Sequence, residues 1–319
     1  MDNLLIVAQQ VAILFVLMGF GAVMRRAGFF KENAVDGIVN VLILVVTPCL
    51  IVDVFQRPFD SSMLKGLGLA FVIAALVHVA LIVLAKAAVR HRDEDVRRPL
   101  CLAAVFSNAG FMGIPLEQAV LGDVGVFYGI VYVVVFNLFM WSWGLRTMCA
   151  EGIRDQGSGI RGSRGDGLKM WVNPGTVGLA LGAPLFFCSL KLPAVIGVPV
   201  HHMANLNTPL AMIVIGYALA GTEFGKVLRT GAVYVATVVR LVICPLLVIA
   251  ALYPFRQALD RNMLLAMAVA ASAPVAAMGS MFAAKFRRDV DVSVAVVSGT
   301  TLLSILTMPV VIALAMTVL

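Results

Sequence analysis

Ser107-Asn108-Ala109-Gly110-Phe111-Met112-Gly113-Ile114-Pro115 is an unusual run to find inside an apolar segment. Pro115 has no N–H, and its ring clashes with the carbonyl four residues back, that of Phe111. Gly110 and Gly113 weaken the same turn. Asn108 brings a side-chain amide able to bond backbone groups that lose their helix partners. Unpaired backbone is not tolerated in lipid, so a break here must be buried in protein or line a wet cavity. Read alone, the run fits a plain proline kink at a packed glycine interface equally well.

A second run reduces that ambiguity. Ala271-Ser272-Ala273-Pro274-Val275-Ala276-Ala277-Met278-Gly279-Ser280 is again interrupted by Pro and Gly. Met112-Gly113 and Met278-Gly279 lie 166 positions apart, and Thr47-Pro48 and Thr208-Pro209 lie 161 apart. The near-constant offset points to two related halves. Paired interruptions at corresponding places are the best sequence pointer to a transporter site. Where two such breaks cross, two half-helix N-termini face one locus, and their partial positive charge and N–H groups favour an anion. Candidate substrate-binding residues are therefore Asn108, Ala109, Gly110, Met112, Gly113 and Pro115 from the first run. Ser272, Pro274 and Val275 come from the second.

Around these runs the chain is overwhelmingly apolar. Of its 319 residues 61% are hydrophobic and 13% charged, and the mean hydropathy is +1.00. A soluble domain carries about 25% charged residues, so this is a membrane chain. A span takes roughly 20 apolar residues, and ten fit. The first five are 4–24, 33–54, 62–89, 98–121 and 124–149. The second five are 172–190, 199–221, 226–253, 262–284 and 291–318. The stretch Glu151–Lys169, rich in Gly, Ser and Arg, reads as a linker. The expected organisation is a first five-helix repeat over 1–150, a cytoplasmic linker over 151–170, and a second, inverted repeat over 171–319. The fold class is an all-α membrane protein, a 5+5 inverted repeat of ten transmembrane helices with broken, crossing helices four and nine.

Alternate loops test that count. One side holds Arg25, Arg26, Lys31, Lys86, Arg90, Arg92, Arg97, Arg98, Arg146, Arg154, Arg161, Arg164, Lys169, Lys226, Arg229, Lys285, Arg287 and Arg288. The other holds Arg57, Lys65, Lys191, Arg256 and Arg261, so the balance is 18 against 5. The positive-inside rule makes the first side cytoplasmic, with both termini outside. The net charge of +7 arises from these clusters and forms no aromatic-interleaved stripe for nucleic acid. Cys49, Cys101, Cys149, Cys188 and Cys244 are scattered, lack metal-ligand spacing and read as packing residues. The N-terminal apolar run has no basic flank before it and Arg25-Arg26 after it, which reads as a retained first span.

Other polar groups in the spans carry two readings each. Thr47-Pro48 and Thr208-Pro209 mark either kinks compensated by the Thr hydroxyls or cavity-lining positions. Asn205 and Asn207 read as cavity residues or as caps. Asn137 reads as a substrate ligand or, more commonly for a membrane Asn, as an interhelical hydrogen bond. Arg240 is the one charge deep in a span, a functional candidate by default; the alternative is a structural Arg on carbonyls freed by Pro245. His78, its nearest inverted counterpart, reads as a packing residue. No Asp or Glu is expected near either break, since Glu117, Asp123, Asp53 and Glu223 sit near span ends. A coupling-ion site is therefore not evident, although Ser272, Thr300 or Thr301 could help hold sodium. His201-His202 falls in an external loop. No zinc spacing, GxSxG elbow or Walker A sequence is present, so no enzyme is expected.

The Ser107–Pro115 run, Asn173-Pro174-Gly175, Arg240 to Pro245 and Ala273-Pro274 together resemble the auxin efflux carrier family, in its bacterial branch related to plant PIN proteins. The resemblance runs through essentially the whole chain in order, with a central loop far shorter than in many plant members. It implies an inverted-repeat fold of the bile acid/sodium symporter type. Spans one, two, six and seven would be a scaffold, and spans three to five and eight to ten a moving transport domain. Asn108 would match the crossover Asn that meets a substrate carboxylate, Asn137 a polar residue of span five, and Pro274 the second crossover proline. Substrates in the family are organic anions, auxin in plants and dicarboxylates such as malonate or malate in bacterial members.

The function expected is an elevator-type secondary transporter, a permease for a small organic carboxylate in the inner (plasma) membrane. A solute channel or sensor on the same scaffold is the alternative. Expected partners are the organic anion and the lipid bilayer, with no nucleic acid and no cofactor; a homodimer is left open.

Overall fold

A computed structural model describes residues 2–29, 32–149, 174–222 and 231–319. The linker with Arg154, Arg161, Arg164 and Lys169 lies outside the described residues, as do Lys31, Asn173, Glu223, Lys226 and Arg229. Among the described residues every regular element is a helix. In chain order these are α1 (Asp2–Arg26), α2 (Glu32–Val41), α3 (Thr47–Phe55), α4 (Ser61–Ala88), α5 (Glu94–Val105), α6 (Ile114–Phe139) and α7 (Leu145–Cys149). Then come α8 (Pro174–Phe187), α9 (Ala194–Asn205), α10 (Asn207–Ala220), α11 (Gly231–Val238), α12 (Cys244–Leu252), α13 (Arg261–Ser272), α14 (Met278–Lys285) and α15 (Val290–Val318). Among the described residues, seven continuous helical stretches are long and apolar enough to cross a membrane.

Several of these helices begin at aspartate caps. The side chains of Asp60, Asp93, Asp260 and Asp289 accept from Ser62 N, Asp95 N, Met263 N and Val292 N at the starts of α4, α5, α13 and α15. A cap satisfies an N–H that the helix itself leaves unpaired.

Proline is met by a wider helical turn in three places. Π-helical turns at Leu42–Val46, Ala109–Gly113 and Val239–Ile243 each end two residues before Pro48, Pro115 and Pro245. A proline cannot donate to the carbonyl four residues back, and the wider π turn lets the helix pass through it. Thr47 Oγ1 donates to Leu42 O at 2.9 Å, so the local compensation by the Thr hydroxyl is realised. His201 and His202 lie within α9, not in a loop, because the helix begins at Ala194, ahead of the span start expected at 199.

Glycines bring one group of helices together. α1 packs on α10 backbone to backbone, and a Cβ added at Gly21 or Gly216 would overlap the carbonyl oxygen of Ile213 or Met18. α3 packs on α8 in the same manner, where a Cβ at Gly178 would lie 2.9 Å from Pro48 Cα and one at Gly182 3.1 Å from Phe55 Cβ. The second group is built around α6 and α13, with α4, α12 and α15 against them and α5 packed on α4 and α15. An apolar cluster joins the two groups: Val11, Leu14 and Val46 from the first meet Met112, Leu116 and Val269 from the second.

At the start of α5, Arg97 Nε (2.6 Å) and Arg98 Nε (2.9 Å) donate to the Glu94 carboxylate and hold its pKa down at about 2. A depressed carboxylate contributes stability above its ordinary value of 4.5, and that contribution is lost as pH falls towards about 2. The side chain is largely solvent-exposed, so the contribution stays below about 1 kcal/mol. In acid titrations of thermal stability, Glu94→Gln should show a small deficit against wild type at neutral pH that disappears through this window.

Candidate functional site

The two interrupted runs meet. α5 ends at Val105 and α13 at Ser272, and the chain between each of them and its continuing helix is extended. Asn108 N donates to Pro274 O at 2.7 Å, and Ala276 N donates to Phe106 O at 3.0 Å, closing a two-bond antiparallel bridge around Ser107 and Val275. The backbone groups that each helix loses are thus partly satisfied by the other break, as a non-aqueous interior demands. Val275 N is held further by Thr300 Oγ1 of α15 at 3.2 Å.

The two breaks are made by different residues. Pro274 sits inside the second, with Ala273 before it in extended conformation (ψ 147°), as a residue preceding proline prefers. In the first, the break falls at Phe106–Asn108 and not at Pro115. Pro115 is absorbed in the first turn of α6 behind the π turn, with Ile114 still helical. Asn108 ends the break by capping the continuing helix: its Oδ1 accepts from Phe111 N at 3.3 Å. That use leaves the amide NH2 as the donor with which Asn108 can meet a ligand.

Space exists beside this cap. A Cβ added at Gly110 would meet nothing within 4 Å. Ala277, at the start of the other continuing helix α14, is exposed and has no side-chain cap. Two helix N-termini thus open next to the bridge. Ala109, Met112, Gly113, Pro115, Ser272, Pro274 and Val275 are buried around it. Gly113 packs towards Ala270 of α13, and Met112 faces the apolar cluster shared with the first helix group. Ser272 Oγ donates to Val269 O, and Thr301 Oγ1 to Val297 O, both on their own helices.

Arg240 belongs to the same assembly from beneath. Its side chain is fully buried, Nη1 donates to Val105 O at 2.8 Å and Nη2 donates to Ala271 O. These carbonyls lie at the C-terminal ends of α5 and α13, where helix dipoles are negative. The carbonyls that Arg240 satisfies are those released by the crossing, not by Pro245.

Other candidates stand apart from the bridge. Asn137 Nδ2 donates to Val133 O at 2.8 Å, one turn back on its own helix. Thr47 and Thr208, with Pro48, are half-buried in the first helix group; α10, which carries Thr208, packs against the Ala109–Gly113 turn. Asn207 is buried at the start of α10, just after the Leu206 turn. An open groove of about 680 Å³ occurs elsewhere, lined by Arg57, Phe59 and Asp60 in the loop after α3 and by Met63 in the first turn of α4, and it shares no residue with the bridge.

Glu117, nine residues beyond Asn108, lies outside the crossing towards the hairpin end of the span, and it is fully buried with both carboxyl oxygens unpartnered. It is buried because the chain turns back at Gly122 (φ 66°) and lays Gly129 against it.

A family model described as a membrane transport protein matches residues 6–158 and 163–312 of the chain. No curated protein matches it.

Proposed function

The chain belongs to the membrane transport protein family, that of the auxin efflux carriers, and from that premise we propose that it carries a small organic carboxylate across the inner (plasma) membrane by an elevator-type mechanism. The observation that carries this reading is the Asn108–Pro274 bridge with its two adjoining helix N-termini, which together suit an anion. The donors are Asn108 Nδ2 and backbone N–H groups, all fixed before a ligand arrives.

A ten-pass, inverted arrangement is supported by how the helices divide. Seven stretches are long and apolar. The 41-residue stretch Ala109–Cys149 contains the turn at Gly122, so it supplies both the end of span four and the whole of span five. α13 with α14 makes a ninth, interrupted span, and the short apolar α8 makes the sixth. Spans one and seven pair through Gly21 and Gly216, and spans six and two through Gly178 and Gly182. A shift of five spans converts one pair into the other. With both termini outside, the Arg- and Lys-rich loops fall in the cytoplasm.

The glycine-packed group serves as scaffold, and the group around α6 and α13 as the moving part. Their shared face is apolar and includes the flexible side chains of Met18, Met112, Met212 and Met308, which adapt readily to changed neighbours.

A thermal-shift screen of purified protein against mono- and dicarboxylates tests the substrate class. Saturable counterflow in proteoliposomes is the expected behaviour; flux that neither saturates nor responds to trans substrate would establish a channel instead. Asn108→Ala should weaken carboxylate binding by about 1–3 kcal/mol, the worth of a buried amide donor. Binding equal to wild type would place the site elsewhere.

A further inference from the structure

Glu117 is a second polar feature of the moving group, separate from the bridge. It lies nine residues past Asn108, about 13 Å further along the helix axis. Its carboxyl reaches the backbone of Gly129, where a Cβ would collide with Oε2. The carboxyl is fully buried and neither oxygen has a hydrogen-bond partner. Titratable groups occur on the elements packed against α6, namely Cys49, Asp53, Lys65, His78, Lys86, Tyr217 and Arg261, with Arg25 and Arg26 on α1, and Asp123, Tyr128 and Tyr132 lie on α6 itself. None of them hydrogen-bonds to the Glu117 carboxyl.

An intramembrane carboxyl is costly and marks an ion or proton pathway by default. A metal cation needs several oxygen ligands, and no metal-holding group of His, Cys, Asp and Glu occurs among the described residues. A proton needs one oxygen. Access from outside is short, because the next residues, Gln118 and Ala119, are exposed. Gln118 Nε2 donates to Asp123 Oδ1 at 2.9 Å at the tip of the hairpin.

We propose that Glu117 is a proton-binding site that travels with the moving group and couples substrate movement to protons. A proton from one aqueous face adds to a Glu117 carboxylate oxygen, the neutral acid crosses with the helix, and the same O–H bond breaks at the other face. The coupling rests on the carrier reading; the proton site itself does not.

Infrared spectra of the purified wild type should show a protonated-carboxyl band that is lost as pH rises and is missing from Glu117→Gln. A wild-type spectrum with no such pH-dependent loss overturns the proposal without any variant. So does a band that persists in Glu117→Gln. In proteoliposomes with a trapped pH dye, a malonate gradient should move protons through wild type. Glu117→Gln should lose that proton movement at least tenfold while keeping malonate counterflow. Equal proton movement in both proteins overturns the coupling. Absence of malonate counterflow from both counts against the carboxylate reading, and the infrared titration still decides the proton site.

Discussion

Arg240→Met is expected to lower the stability of the folded protein by about 3–5 kcal/mol, the usual cost of removing one partner from a buried charged interaction. Methionine fills most of the same volume, so cavity formation contributes little to that figure. What is lost are two hydrogen bonds from a cation, to Val105 O and Ala271 O. Each is worth about 1.5–3 kcal/mol, and each carbonyl is then left in an apolar interior. The two carbonyls end the two helices that stop at the crossing, so both breaks lose their common support. Arg240→Lys should fall between wild type and Met, because an ammonium lacks the planar fork that reaches two acceptors at once. Thermal unfolding in detergent measures the effect. The same experiment separates the two readings of Arg240 left open by the sequence. A variant with wild-type stability but no carboxylate binding would make the arginine a substrate ligand and remove its role beneath the bridge.

Proline and glycine made the crossing legible in the sequence, though not its details. The second break was located correctly because Pro274 acts through the residue before it, a local restriction on Ala273. Pro115 carried the same warning and produced no break. Whether a proline breaks a helix or widens it into a π turn depends on what surrounds the turn, and here α13 packs against Gly113. Asn108 was visible as a polar residue in an apolar run. Its cap on Phe111 follows from the extended backbone before it, which the bridge to Pro274 imposes from 166 residues away. Glu117 reads in the sequence only as a residue near a span end. Its burial has no sequence signature, because it comes from the turn at Gly122 that folds a second helix over it. Arg240 stands out in the sequence as a deep charge. Its partners could not be read, because backbone carbonyls carry no sequence signature.

Gly216→Leu should be as damaging as the loss of Arg240, by a different route. Gly216 faces the Met18 backbone so closely that even a methyl group would overlap the carbonyl oxygen, and its carbon would lie 2.6 Å from Met18 C. The obstacle is backbone, which has no rotamer to move aside. The axes of α1 and α10 must therefore separate along their whole contact. Separation removes the packing of Val11, Leu14 and Met18 near Ala211 and Met212. It also lifts Arg25 from the Tyr217 ring, over which it sits at 4.6 Å, and from Tyr217 O. In lipid, apolar surface gains nothing by leaving the solvent, so close packing is itself what holds such helices together. A loss of at least about 3 kcal/mol follows, at the upper end for overpacking because the neighbour cannot yield. Gly19→Leu is the matched control, since a Cβ there meets nothing within 4 Å, and it should leave thermal stability near wild type. If the two variants were equally stable, backbone contact between α1 and α10 could not be what holds this helix group together.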